Sequence, residues 1–508
     1  MATGRMITTA VSREVGRSTL RAAGAWRWLL AVPILAYAFA VPFLSPTDPD
    51  YWWHARTGQF IAETGTIPRV DDYSFTVLGQ PWVSHEWLSD LLMFHIARQF
   101  GYGGVAALFG LVGLATLALV RLTCHRYGAG PVIAACVCGW ALLMMQPSVN
   151  ARPQMFTMLL LALFVWLLTR YQAGDQRALW PLPPLMALWV NLHGGYLIGL
   201  VFLGLAFAGA GIHWLADRRG RAPWPLLAAT VLAFAASLLT PHGLDALRYP
   251  LTYVGHENAS LQFVAEWRSP DFHQALFFPF AASLLLALAL GLGGTVGPTA
   301  IFWVLTVAFM GLQSVRHIPL YAIVATPLIA ARLAATMVAA PTVSARTRRL
   351  VRFGVGVLAL VLPLLLLAGG LVASAERGWQ VGPAPSVAGY PAAGVEYLRT
   401  TAPEGRLFNE YRWGGYLIAE LYPERRVFID GRADPFGDAL IAQYRDTALA
   451  RPGWQQRLDA WQIDLILVDK EGPLATALRD APDWREVLVG PVERLFVRDA
   501  TVAVGRTK

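Results

Sequence analysis

The chain has 508 residues, of which 56% are hydrophobic and only 15% charged, against about 25% charged in an ordinary globular chain. That balance excludes a single water-soluble globule, and three cysteines exclude a disulfide scaffold. The formal net charge of +8 is carried by arginines beside apolar segments, which sets orientation in a membrane and gives no support for a nucleic-acid partner.

In chain order, Arg5, Arg13, Arg17 and Arg21 precede a first apolar run at residues 26 to 44. Ala36-Tyr37-Ala38 resembles a small-residue cleavage site, but cutting there would divide a run long enough to span a bilayer, so a retained helix is expected. Further runs follow near 103–121, 130–148, 154–170, 178–192, 195–214, 223–240, 274–293, 298–314, 317–333 and 352–373. The fifth is interrupted by Pro181, Pro183 and Pro184. The expectation is a membrane all-α body of about eleven transmembrane helices. Arg218, Arg219, Arg221, Arg346, Arg348, Arg349 and Arg352 fall in connections on the same side as the N-terminus. Excess arginine marks the cytoplasmic side, so the layout is a cytoplasmic arm (1–25), a polytopic membrane domain (26–375) in the plasma (inner) membrane, and an extracytoplasmic domain (376–508).

The loop of residues 45–102 is the most unusual segment. It carries Asp48-Pro49-Asp50-Tyr51-Trp52-Trp53-His54, Asp71-Asp72 and Ser84-His85-Glu86-Trp87, and closes with an amphipathic helix from about Glu86 to Phe100 suited to a membrane interface. Trp52 and Trp53 suit an aromatic belt.

Polar residues that interrupt apolar segments converge on that same end. Asn150, Arg152 and Gln154 follow the third run, Asn191 and His193 the fifth, His242, Glu266, Arg268 and Asp271 the seventh, and Arg316 with His317 the ninth. An aromatic belt does not require His, Glu and Arg to gather on one side, so the set reads as a site. Within it, Asp48 and Asp50, two residues apart and fixed by a proline, can place one oxygen as a general base and another as an orienting group, or share a divalent ion such as Mg or Mn. A polar turn ending the first helix is the plainer alternative.

The string from Asp48 to His54, followed by Gly65-Thr-Ile-Pro-Arg-Val-Asp71 and Trp82-Val-Ser-His-Glu-Trp87, resembles the first outer loop of the GT-C superfamily of membrane glycosyltransferases. Members include oligosaccharyltransferases and protein mannosyltransferases. The resemblance implies a polyprenyl-phosphate-linked sugar donor, with Asp48 and Asp50 as the acidic D-x-D motif. His54, Glu86, Arg152, His193, Arg316 and His317 are then expected to bind substrate, the last four being placed toward the lipid phosphate on their position alone. The acceptor stays undefined. The W-W-D-Y-G string of oligosaccharyltransferases is absent from the tail, which argues against transfer of whole oligosaccharides to asparagine.

In the tail, short apolar runs at residues 406–409, 426–429, 465–468, 487–489 and 494–497 read as strands, and 415–421, 438–444 and 473–478 as helices. A soluble α/β domain is expected. Arg412-Trp413-Gly414-Gly415-Tyr416 and Asp430-Gly431-Arg432-Ala433-Asp434 stand out within it; the second follows a predicted strand, where α/β domains place ligand groups, or is a turn with Arg432 paired locally. A transporter or flippase would place its polar groups near mid-membrane, and a non-catalytic envelope assembly protein, whose tail binds partners, is separated from an enzyme by whether Asp mutants lose activity with normal complex formation. Transfer of a sugar from a polyprenyl-phosphate donor is the leading function.

Overall fold

The computed structural model describes residues 31–44, 47–216, 222–251, 263–291, 297–339, 384–401 and 403–499, with isolated helical positions at 357, 361 and 368. The eleventh expected span, 352–373, lies outside the described stretches.

The body is helical: α1 (Val32–Leu44), α2 (Tyr51–Thr64), α3 (Trp87–Arg126), α4 (Pro131–Met145), α5 (Gln154–Gln172), α6 (Leu182–Leu192), α7 (Tyr196–Ala216), α8 (Trp224–Ala236), α9 (Leu244–Leu251), α10 (Phe278–Ala289), α11 (Pro298–Gln313) and α12 (Ile318–Ala339). Among the described residues, five segments are long and apolar enough to cross a membrane: Trp87–Arg126, Pro131–Ser148, Gln154–Gln172, Tyr196–Ala216 and Val315–Thr336. Four shorter apolar helices stand beside them. The count of eleven is therefore not reached here. The fifth expected span shrinks to α6, 11 residues or about 16 Å at helical rise, because the prolines at 181, 183 and 184 hold it to a short element. Large apolar side chains on the outside of α7, α8, α10 and α11, among them Ile212, Leu232, Leu285, Leu288, Leu305 and Phe309, are exposed. An apolar exterior of that extent belongs against lipid, and the chain is an integral membrane protein.

The expected amphipathic helix is the first part of α3. Gly101 breaks the helical path there with φ +66° and ψ −171°, a conformation open to glycine alone among the residues, so Trp87 to Phe100 turns away from the span that follows. Its Ser89, Asp90 and Met93 are buried, making it an internal brace rather than a free surface helix.

The tail holds α13 (Ala392–Thr401), β1 (Arg406–Asn409), α14 (Gly414–Leu421), α15 (Gly437–Ala448), α16 (Trp454–Ala460), β2 (Ile463–Asp469), α17 (Pro473–Arg479), β3 (Trp484–Val489) and β4 (Glu493–Arg498). The sheet order is β1-β2-β4-β3, with β1 parallel to β2 and the other two pairs antiparallel. Side chains alternate across it. Leu407, Leu465, Leu467 and Leu495 join an apolar cluster with α13 and α14 that runs on without a break into the helical body, while Phe408, Ile463, Ile466, Val468 and Phe496 pack on α15, α16 and α17.

Residues 426–429 are not a strand of this sheet. Val427 instead exchanges backbone bonds with the first loop, donating to Tyr73 O at 3.0 Å and accepting from Phe75 N at 3.1 Å. The side-chain amide oxygen of Asn409 takes the Phe428 N–H at 2.8 Å, which occupies the place a ladder partner would fill. Loop and tail are thus sewn together.

Candidate functional site

The acidic motif sits where α1 gives way to α2. Asp48 Oδ1 accepts the Asp50 N–H at 2.9 Å, closing the turn that starts α2, and Asp48 Oδ2 accepts from Asn150 at 2.5 Å. Asp50 sits at the N-terminal end of α2 without capping it by its side chain. Its Oδ2 lies 2.6 Å from Arg152 Nη2, and its Oδ1 accepts from Trp53 Nε1 at 3.1 Å. Burial pushes the Asp50 carboxyl up to about 6 against the pull of Arg152, and burial raises Asp48 as well. The tail closes over this point: a Cβ on Gly431 would stand 2.0 Å from Asp50 Oδ1, so only glycine lets the Asp430-Gly431-Arg432 turn come this near.

Arg152 and Arg316 are joined through one carboxylate. Glu266 Oε2 lies 3.1 Å from Arg152 and Oε1 3.1 Å from Arg316; burial alone would raise Glu266, but the two arginines outweigh it and hold it at about 2. The Arg316 guanidinium also lies over the Trp267 ring, 4.8 Å from its centroid. His317 presents its ring edge-on to the same tryptophan, with Nδ1 buried and without a hydrogen-bond partner.

Below the arginines lies a histidine-rich layer. His193 Nε2 is 3.4 Å from Glu86 Oε1 and 3.4 Å from Arg316 Nη2. His54 Nδ1 is 2.6 Å from Asp90 Oδ1, and its Nε2 is 3.7 Å from Glu86 Oε2. Burial lifts Glu86 to about 8 and drives His54 and His193 far below the ordinary imidazole range, so these three groups are uncharged near neutrality.

Asp48, Asp50, His54, Glu86, Arg152, His193 and Arg316 are therefore one connected cluster, and His317 stands at its edge. Sequence reasoning left out Asp90, which reads as the polar face of an amphipathic helix, and Asn150, Trp53 and Glu266, which were visible in their strings without a partner to give them meaning. Trp52 and Trp53 are not belt residues: both are buried, and Trp52 meets Tyr390 and Tyr416 of the tail edge-to-face at 5.4 and 4.9 Å.

The carboxylates of Asp48 and Asp50 do not fit a Mg or Mn site as they stand. A hard cation takes several oxygens free to coordinate it, whereas these four oxygens face Asn150, Arg152, Trp53 and a backbone N–H. Among the described residues no group of three His, Cys, Asp or Glu side chains is arranged to hold a metal.

The chain superposes on solved structures of two transferases. The apo oligosaccharyltransferase of Archaeoglobus fulgidus superposes with a TM-score of 0.59 at 12% identity, over 88% of this chain and 70% of its own. ArnT of Cupriavidus metallidurans, bound to undecaprenyl phosphate, superposes at 0.51 with 14% identity, over 95% of this chain and 99% of its own. The fold is GT-C-like. No family model matches the chain, and no curated protein matches it in sequence. The archaeal enzyme has also been solved with an inhibitory peptide and a dolichol-phosphate, at 0.58 and 12% identity, over 88% of this chain and 70% of its own. At these identities the GT-C-like likeness concerns the fold.

Proposed function

We propose that the chain is a membrane glycosyltransferase that moves a sugar from a polyprenyl-phosphate-linked donor to an acceptor on the face of the membrane away from the cytoplasm. The observation that carries this reading is the juxtaposition of a buried acid, Asp50, with two arginines that share one carboxylate. Next to Arg316 in the chain, Val315 and Ile318 line a small crevice together with Met144, Pro147, Ser148, Leu276, Phe277 and Phe280. A lipid-linked donor needs such a pairing: guanidinium forks suit phosphate oxygens, and the exposed apolar faces of the surrounding helices suit an isoprenoid chain lying in the bilayer.

In the reaction, the acceptor hydroxyl forms the new bond to the anomeric carbon as the bond from that carbon to phosphate oxygen breaks. The electron pair leaves with polyprenyl phosphate, and the acceptor proton passes to Asp50. Arg152 orients the Asp50 carboxylate, and Arg316, released from Glu266, takes the phosphate. That two phosphate-linked lipids occur in neighbours of the same fold supports the donor class. The arginine-rich connections between apolar runs support an acidic cluster on the outer side. No step is routed through a metal.

The test supplies the purified protein, in lipid, with one radiolabelled sugar carried either by polyprenyl phosphate or by a nucleoside diphosphate. Transfer from the lipid donor alone is expected. Transfer from the nucleotide donor, or none from the lipid, contradicts the reading.

A further inference from the structure

The hydrogens of the histidine layer can be placed from heavy-atom geometry. His193 Nδ1 receives the Gly195 N–H at 2.9 Å. It also lies 2.9 Å from Thr157 Oγ1, which accepts from Trp189 Nε1 at 2.9 Å. The Gly195 hydrogen on Nδ1, at 2.9 Å, outweighs the 3.4 Å approach of an Arg316 N–H to Nε2, so the neutral ring carries its own hydrogen at Nε2, facing Glu86. His54 is the reverse. Its Nδ1 lies 2.6 Å from Asp90 Oδ1, and with the ring hydrogen in that contact Nε2 is bare toward Glu86. His85 repeats that tautomer, with Nδ1 3.2 Å from Val83 O and Nε2 3.8 Å from Glu86 Oε1. Glu86 thus faces one N–H and two imidazole lone pairs. An ionised carboxylate would be set against both lone pairs, whereas a carboxylic acid presents a hydrogen to one of them.

We propose that Glu86 is the proton donor of this site, a carboxylic acid held between the Nε2–H of His193 and the bare Nε2 of His54 that protonates the phosphate oxygen leaving the sugar. The inference rests on the reading of the chain as a polyprenyl-phosphate glycosyltransferase. His193 Nε2 lies 3.4 Å from both Glu86 and Arg316, so a phosphate held by Arg316 is across a single imidazole edge from the acid. The separations of 3.7 and 3.8 Å to His54 and His85 are wider than a hydrogen bond, and the Glu86 proton is free to turn toward the phosphate.

The step balances. The bond from anomeric carbon to phosphate oxygen breaks with both electrons going to oxygen, the Glu86 proton joins that oxygen, and Glu86 is left as a carboxylate facing His193 N–H, Arg152 and Arg316. The acceptor proton, taken by Asp50, restores Glu86 through solvent, with no net gain or loss. Two carboxyls in one cleft, one buried among lone pairs and one held by a guanidinium, divide the acid and base roles. The groups facing Glu86 are His54 and Asp50 at the start of α2, His85 and Asp90 on either side of it in the chain, Arg152 and His193 from the ends of α4 and α6, Arg316 ahead of α12, and Asp434 of the tail. Arg152 and Arg316 lower the Glu86 titration point, and Asp50 and Asp434 raise it, all acting on a group that burial has already lifted.

The experiment uses the full-length protein in lipid. Infrared spectra should show a protonated carboxyl band at pH 7 that is absent from Glu86→Gln and titrates near 8; its absence from wild type at pH 7 overturns the proposal. Glu86→Gln, matched in shape, should lose about a hundredfold or more in turnover of the lipid-linked donor and also the alkaline limb of the pH profile. Wild-type turnover with an unchanged alkaline limb overturns it. Should Glu86→Gln not fold, Glu86→Asp retains an acid withdrawn by one methylene, and must turn over more slowly with the alkaline limb still present; an undiminished rate overturns the proposal. Tight binding of Zn²⁺ by wild type that is lost in Glu86→Gln would make the three histidines a metal site and overturn it too. If wild type transfers sugar, Asp50→Asn does not, and Glu86→Gln is normal, this inference alone fails. If wild type uses no polyprenyl-phosphate donor, the underlying reading fails, and the infrared titration still decides whether Glu86 stores a proton.

Discussion

Two buried ionic clusters anchor the first loop, one to the tail and one to the helical body, and they are built on opposite principles. In the first, Arg432 is enclosed by the carboxylates of Asp71 and Asp430, each 2.6 Å away, and by the rings of Trp82, Tyr73 and Phe436. All three charged groups are 0–1% exposed, and Ser74 donates to Asp71 through backbone and hydroxyl alike. Nothing can enter. In the second, with Glu86 protonated, Asp48, Asp50 and Glu266 face Arg152 and Arg316, one carboxylate is split between two guanidiniums, and side chains of the group remain 9–29% exposed. The first cluster is closed to solvent and holds the tail in place. The second is mismatched in a way that an incoming anion and acceptor can use.

The largest effect should separate the clusters by stability. Arg432→Ala strands two buried carboxylates and is expected to cost about 3–5 kcal/mol, read as a fall in thermal midpoint, whereas Arg316→Ala should leave that midpoint nearly unchanged. If Arg316→Ala destabilises as much as Arg432→Ala, the second cluster is a clamp of the same kind as the first.

Next comes donor binding. Loss of a charge-assisted contact of about 1.5–3 kcal/mol predicts that Arg316→Ala weakens polyprenyl-phosphate binding by roughly tenfold to a hundredfold, with acceptor affinity nearly unchanged. Equal donor affinity would reduce Arg316 to a residue stacked on Trp267.

The sequence made the second cluster more legible than the first. Asp48, Asp50, Arg152, His193 and Arg316 each interrupt an apolar run at its end, and the cost of a charge near hydrocarbon makes such residues conspicuous. Asp71, Asp430 and Arg432 lie in polar stretches where a turn with local pairing explains them equally well, and only the fold shows Asp71 arriving from a loop more than 350 residues away. The strands at 406–409 and 465–468 were legible from their apolar runs. Residues 426–429 carry the same pattern yet bond to the loop instead, because apolar spacing reports burial and not which backbone supplies the partner. Asp90 was hidden for a related reason: helical periodicity cannot distinguish a solvent-facing acid from one turned onto a histidine.

A smaller effect concerns pH. Asp50 must be ionised to accept a proton and its carboxyl is raised to about 6, so turnover should rise with pH through about 6 and be lost below it. The closed cluster contributes no such limb to the rate. A rate that is flat from pH 5 to 7 would remove Asp50 from the titrating step. Smaller again, Trp267→Leu removes one cation–π contact under Arg316, worth about 0.5–1 kcal/mol, and should weaken donor binding by no more than severalfold; a complete loss would make the ring part of the donor site itself.

The most direct measurement is turnover of purified Asp50→Asn with the polyprenyl-phosphate-linked donor that wild type uses. Asparagine keeps the size of the side chain and removes the charge paired with Arg152, so folding and donor binding should survive while turnover falls about a hundredfold or more. Wild-type turnover in Asp50→Asn would contradict the assignment of Asp50 as the base, and with it the claim that the mismatched cluster is where sugar transfer occurs.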